Sequence, residues 1–203
     1  WDIAADGLAQ PHAHVMLTMR EVVGRDVDED VFGAKVRDWN RAELVEPWRA
    51  AWADHVTERL AQLDIDARID HRSLEDQGID LEPQNKIGPA AGRMAGEGVE
   101  TERLEDHHRI ARENGEKIIA DPRIALDAIT HQQATFTRYD LAKFIHRHSD
   151  GKDQFDQAMS AVQASPEIVA LGQDGRGQDR FTSREMIGVE ERLHRASEAM
   201  AER

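Results

Sequence analysis

The 203-residue sequence contains no cysteine, so disulfides, thiol nucleophiles and thiolate metal sites are all excluded. Aromatics are scarce at 5%, with a single tyrosine, Tyr139. No apolar run approaches the roughly 20 residues that cross a bilayer, and the sequence does not open on a signal-peptide pattern. No Gly-x-x-x-x-Gly-Lys-Ser/Thr phosphate loop occurs. Positive charge is also in deficit. There are 26 Lys and Arg against 40 Asp and Glu, a net charge of -14. Such a surface repels polyanions at long range, which argues against a histone-like or polybasic nucleic-acid binder while leaving room for a locally focused site. Hydrophobic residues make up 39%, and the length suits one or two domains with a real core.

Punctuation divides what is present. Val15-Met16-Leu17-Thr18-Met19 follows Pro11 and predicts a strand entered from a loop. Residues 24–38 carry Gly24, an acidic run from Asp26 to Asp30 and Gly33, and read as a loop or an exposed hairpin. Leu44, Trp48, Trp52, Val56 and Leu60 recur every fourth residue and predict a helix from Arg41 to about Leu63. Asn40 with Glu43 gives a capping-box spacing for its start, whereas Pro47 moves the start to near Glu46. The two tryptophans are expected in the core. Ala67 to Asp70 is a short strand candidate. The stretch from Gly78 to Gly98 is so rich in Gly and Pro that it predicts a boundary or loop.

A charged helix is predicted from Val99 to Ala120, stopped by Asp121-Pro122, and another over Arg123 to Gln133. Thr137 caps a helix over 138–148, Lys152 to Ala164 forms a second, and Ile168–Leu171 with Arg180–Thr182 form a hairpin around a Gly-rich turn. Helix, helix, hairpin is the order of a winged-helix module, and a last helix starts near Ser183. Residues 134–185 are expected to fold independently.

The main chemical signal is Pro11-His12-Ala13-His14. Side chains two apart on a strand share a face, with their Cα atoms about 7 Å apart, so His12 and His14 present paired imidazoles. The pair suits a divalent metal, or is simply solvent-facing on an edge strand, and two imidazoles do not fill a coordination shell. With carboxylates such as Asp2 or Asp6 the pair could also serve a metal-dependent hydrolase. Arg72 and Ser73 offer a guanidinium fork and a hydroxyl to a phosphate, or else an ion pair and a capping Ser at a strand end. Arg138, Lys143 and Arg147 form either one side of a DNA reader or a solvated helix face. His107, His108, His131, His146 and His148 read as scattered surface residues, since i and i+2 do not face each other on a helix.

These residues together resemble a known family. The opening Asp2 to Gly7 leading into His12-Ala13-His14, the Trp39-Asn40 pair, the Trp48/Trp52 helix, Ile69-Asp70-His71-Arg72-Ser73-Leu74-Glu75 with Gln77-Gly78-Ile79-Asp80, Ile129 to Thr137, and Phe181 to Met186 are similar to the conjugative relaxases of the MobA/MobL group, and most of all to its TraA branch from Ti-type and rhizobial plasmids. The resemblance implies an α+β chain with three parts: the C-terminal part of a nicking domain over 1–95, a helical connector over 96–133, and a mostly helical winged-helix-like module with a trailing helix over 134–203. It implies single-stranded DNA at a transfer origin as substrate, other conjugation and relaxosome proteins as partners, a cytoplasmic location and no membrane insertion. His12 and His14 become two of three histidines holding a divalent ion (Mg, Mn or Zn), and His71, Arg72 and Ser73 become DNA-phosphate contacts. The family's third histidine and its nucleophilic tyrosine are expected before Trp1, so Tyr139 is not the nucleophile and the sequence reads as an interior slice of a longer protein. The alternative expectation is a non-catalytic winged-helix adaptor of the transfer machinery.

Overall fold

A computed structural model of the protein describes residues 2–3, 9–10, 19–26, 29–84 and 102–201. The chain divides into two units, 1–55 and 56–203.

In the first unit, β1 (Asp2–Ile3) and β2 (Ala9–Gln10) form a short antiparallel ladder. β3 (Arg20–Asp26) and β4 (Glu29–Lys35) pair antiparallel, with register shifts between Arg20 and Val22 and between Val22 and Gly24. Of the two readings of residues 24–38, this is the exposed hairpin. Val22, Val23 and Phe32 stand in solvent. Two short 3-10 turns follow at Arg37–Asn40 and Ala42–Leu44.

Helix α1 (Val45–Gln62) begins where Pro47 dictates rather than at Asn40, because a proline in the first turn leaves only N–H groups that have no helical partner anyway. The expectation of buried tryptophans is corrected. Trp48 and Trp52 are 54% and 67% exposed, and the only buried side chain of α1 is Ala53. The helix closes with Asp64 at a φ of 56°, the Asp64 N–H on the Ala61 carbonyl at 3.0 Å and the Ile65 N–H on the Leu60 carbonyl at 3.0 Å. This is the left-handed cap that most helices assign to glycine.

The second unit holds the core. After α1, residues 65–84 run without a strand. Ala67–Asp70 joins no sheet, since its backbone is held by single bonds, from the Arg68 N–H to the Gln132 carbonyl at 2.7 Å and from the Ile69 N–H to Thr57 Oγ1 at 3.0 Å. Ile79 and Leu81 are buried even though their neighbours are Gly, Asp and Pro. Asn114 pins this stretch: its side chain accepts from the Glu82 N–H at 2.9 Å and donates to the Glu82 carbonyl at 2.8 Å.

Helix α2 (Glu102–Ala120) buries Ile110, Ala111, Asn114, Gly115 and Ile118, one face at helical spacing. Asp121 turns the chain and accepts the Arg123 N–H, and α3 (Arg123–Gln132) contributes Ala125, Leu126, Ala128 and Ile129 to the core. Then come β5 (Phe136–Thr137), α4 (Arg138–Arg147), α5 (Gly151–Ala164), β6 (Ile168–Gln173), β7 (Asp179–Ser183) and α6 (Arg184–Ala201). The Thr137 cap is a full capping box: Thr137 Oγ1 accepts the Asp140 N–H and the Asp140 carboxylate accepts the Thr137 N–H. The sheet order is β5-β7-β6, all antiparallel. The order is helix, strand, two helices and a hairpin whose last strand pairs the first. The hairpin reverses at Asp174–Gln178, where Gly177 has a φ of 74° and Asp174 accepts N–H bonds from Arg176 and Gln178.

This module does not own its core. Phe136, Leu141, Ile145, Ala158 and Val162 form one cluster with Ile118, Leu126 and Ile129 from α2 and α3 and with Ile79 and Leu81. The packing thus makes upstream residues partners in the core that 134–185 uses. The α+β reading stands. Among the described residues, no helix is long and apolar enough to cross a membrane.

Candidate functional site

His12 and His14 lie outside the described residues. Among the described residues, no group of three or more His, Asp or Glu is placed to hold a metal ion.

The Asp70–Ser73 segment is described in full. Asp70 accepts from Arg72 through Nε at 3.0 Å and Nη2 at 2.6 Å, a bidentate fork, and from the Arg72 backbone N–H at 3.0 Å. His131 Nε2 donates to the second oxygen of the same carboxylate at 2.9 Å. Arg68 in turn reaches the His131 carbonyl. These donors, Arg72 first and His131 second, hold the Asp70 carboxyl far below the usual carboxylate range, and Asp70 raises Arg72 reciprocally. Arg72 Nη1 also donates to the Asp76 carbonyl at 3.3 Å. Ser73 Oγ donates to Asp76 Oδ2 at 2.6 Å and accepts the Asp76 N–H at 3.1 Å, capping the next turn. His71 is half-buried beside them.

Arg72 thus spends three of its five N–H groups within the protein and keeps two for a ligand. It remains about half exposed, whereas Asp70 and His131 are mostly covered. The fork is fixed in direction, which favours planar recognition of a phosphate, while the Asp70 charge cancels much of its positive potential. His131, read from sequence as a surface residue, is the member that reasoning missed. The string Ile129–Thr137 carried it, but only folding brings it to Asp70, 61 residues away.

His148 is also corrected. It is 7% exposed, at the C-terminal end of α4, its ring 4.6 Å from Phe144 and its Nδ1 3.4 Å from Asn114 Nδ2, which donates to it. Burial, aided by the charge of Arg147, pushes its pKa down to about 4, so it is neutral near pH 7. On the outer face of α4, Tyr139, Lys143 and Arg147 follow at i, i+4 and i+8, all exposed. On the wing, Arg180 is engaged by Thr135 and Arg184 by Pro166, which leaves Arg176 as the open arginine at the tip.

Comparison with known proteins adds the following. Residues 1–97 match the MobA/MobL family. The conjugal transfer protein TraA of Agrobacterium fabrum is 32% identical over 94% of this chain and 20% of its own length. The probable conjugal transfer protein TraA of Sinorhizobium fredii is 31% identical over 91% of this chain and 19% of its own. Mobilization protein A of Escherichia coli is 32% identical over 64% of this chain and 20% of its own. The chain spans about a fifth of the length of these relatives. No solved structure matches it. Over residues 1–97 the chain is similar to the MobA/MobL family, and over nearly all of its length it is TraA-like.

Proposed function

We propose that the chain is part of a plasmid-transfer relaxase, which binds single-stranded DNA at a transfer origin and nicks it by tyrosine transesterification. The observation that carries this reading is the family match over 1–97, which contains both His12-Ala13-His14 and the Asp70–Ser73 segment. In the reaction, a tyrosyl oxygen attacks the scissile phosphorus, the 3′ oxygen leaves, and a 5′-phosphotyrosyl ester remains. The nucleophile is assigned to a residue outside this sequence, because the one tyrosine here, Tyr139, stands 71% exposed on the outer face of α4.

His12 and His14 would hold the divalent ion, Mg, Mn or Zn. Two imidazoles fit such an ion but do not complete its shell, so another donor is required. When bound, the ion supplies Lewis-acid polarisation of the phosphate. The chain's own contribution is positioning. The two open N–H groups of Arg72, on a guanidinium fixed by Asp70 and Asp76, would orient a DNA phosphate, with His71 and Ser73 alongside. The expected partners are the transfer-origin strand and other conjugation proteins, in the cytoplasm. In the full-length protein, His12→Ala and His14→Ala should each abolish nicking of a transfer-origin oligonucleotide and weaken divalent-ion binding. Undiminished nicking in either variant would overturn the assignment.

A second reading, that the 134–185 module is a non-catalytic adaptor, is favoured by one observation. Helix α5, which occupies the place of a reader helix in a winged-helix module, is packed against α2. Gly115 of α2 lies so close that a Cβ there would stand 2.4 Å from the Gln154 side chain, and Gln154 donates to the Arg112 carbonyl. Helix α5 also carries Asp153 and Asp156 against Lys152 alone. Under this reading, charge reversal at Arg138, Lys143 and Arg147 leaves single-strand affinity unchanged.

A further inference from the structure

We propose that α6 and the groove beside it dock a basic amphipathic helix of a partner protein. The proposal goes beyond the relaxase reading and does not rest on it. The groove, of about 780 Å³, lies between the last turns of α1, the 64–68 segment, the end of α3 and α6. Its apolar floor is made by Ala61, Ile65, Ala67, Met186, Val189 and Leu193.

The α6 wall has a periodicity that a surface helix does not need for packing in its own unit. Met186, Val189, Leu193, Ala196 and Met200 fall at spacings of three, four, three and four, a heptad seam over two repeats. That seam is open: Val189 is 39% exposed, Leu193 62% and Met200 68%, and no residue of α6 is buried. An apolar seam of this length, continuous with an apolar groove, fits helix-in-groove recognition.

Charge selects the occupant. The groove is rimmed by Asp64, Asp66, Asp127, Glu185 and Glu190, of which Glu185 pairs with Arg192 at 3.4 Å, against one lining arginine, Arg68, which is already drawn to the His131 carbonyl. Asp127 has no ion-pair partner among the described residues, and burial together with the facing Glu185 raises its pKa. Arg123 acts on Asp127 electrostatically, but its guanidinium is forked onto Asp121. Glu190 flanks the seam with no ion-pair partner among the described residues, and Glu185 flanks it beside Arg192; Lys or Arg on an incoming helix would pair with Glu190 first. A parallel second copy of α6 would instead set Glu185 against the other copy's Glu190, like charge to like, so the seam is better matched to a foreign basic helix than to itself.

The test uses the 203-residue chain and two synthetic 18-residue amphipathic helices with identical leucine seams, one flanked by lysine and one by glutamate, read by fluorescence anisotropy. The lysine peptide should bind and the glutamate peptide should not. Leu193→Asp, at an exposed position, should weaken the lysine peptide about tenfold or more, and Glu190→Lys about threefold with a shallower salt dependence. Equal binding of the two peptides, or binding unaffected by Leu193→Asp, overturns the proposal. So does concentration-dependent dimerisation of the chain abolished by Leu193→Asp, which assigns the seam to a second copy.

Discussion

His148 shows at the scale of one residue how burial becomes a pH dependence. Its pKa falls from 6.5 to about 4 because the ring sits among Phe144, Asn114 and the α4 terminus, away from water. The unfolded chain therefore takes up a proton that the folded chain refuses. The neutral ring's full contribution is present above about pH 6.5 and is lost progressively as pH falls toward 4, a swing of about 3 kcal/mol at 1.36 kcal/mol per pKa unit. Urea midpoints measured from pH 7 to 4.5 should fall more steeply for the wild type than for His148→Gln, which starts lower but lacks this proton. Parallel profiles would refute the assignment. Asp70 acts in the opposite regime: its carboxylate is stabilised by Arg72 and His131 and stays ionised throughout this window.

At the scale of elements, two contacts make opposite predictions for glycine. Asp64 sits at a φ of 56° as the left-handed cap of α1, where a side chain with a Cβ is strained. Asp64→Gly should stabilise the fold by about 0.5–1 kcal/mol in thermal or urea denaturation. Gly115 is the reverse case. An added Cβ would displace Gln154, which accepts the Asp150 N–H at 2.7 Å and donates to the Arg112 carbonyl at 2.9 Å, so Gly115→Ala should destabilise by about 1–2 kcal/mol despite its better helix propensity. Adding Gln154→Ala to Gly115→Ala should then cost little more, which double-mutant denaturation can check. These elements also show what the sequence made legible. The end of α2 near Pro122 and the starts of α4 after Thr137, α5 near Gly151 and α6 after Ser183 lie where the sequence marks them, because capping and turn chemistry are local. The exposure of Trp48 and Trp52 was not legible, because period reveals an apolar face but not whether another element covers it. Ile79 and Leu81 were hidden by their Gly- and Pro-rich surroundings, since their burial depends on Asn114 some 30 residues on. The Asp70–Arg72 pair was foreseeable from its spacing, whereas His131 joined it only through the fold.

At the scale of the whole molecule, charge and core set two limits. Because Ile79, Leu81, Ile118, Leu126 and Ile129 share the cluster that contains Phe136 and Ile145, residues 134–203 alone should lack a cooperative unfolding transition that the complete chain shows, by circular dichroism under heating. The second limit concerns the reaction. With a net charge of -14, the proposed affinity for a DNA strand would have to come from local sites such as Arg72 and the α4 face, which offer few cations. Weak binding with a shallow salt dependence is expected of the 203-residue chain. Cleavage is not, because its one tyrosine, Tyr139, stands exposed on α4 with Lys143 and Arg147, and two imidazoles at His12 and His14 leave an ion's shell incomplete. Incubating the chain with a transfer-origin oligonucleotide and Mg or Mn should therefore leave the strand intact and yield no covalent protein–DNA adduct on a denaturing gel. A covalent adduct lost in Tyr139→Phe would place the nucleophile on α4 and overturn the division of labour in which this chain positions DNA for a tyrosine held elsewhere.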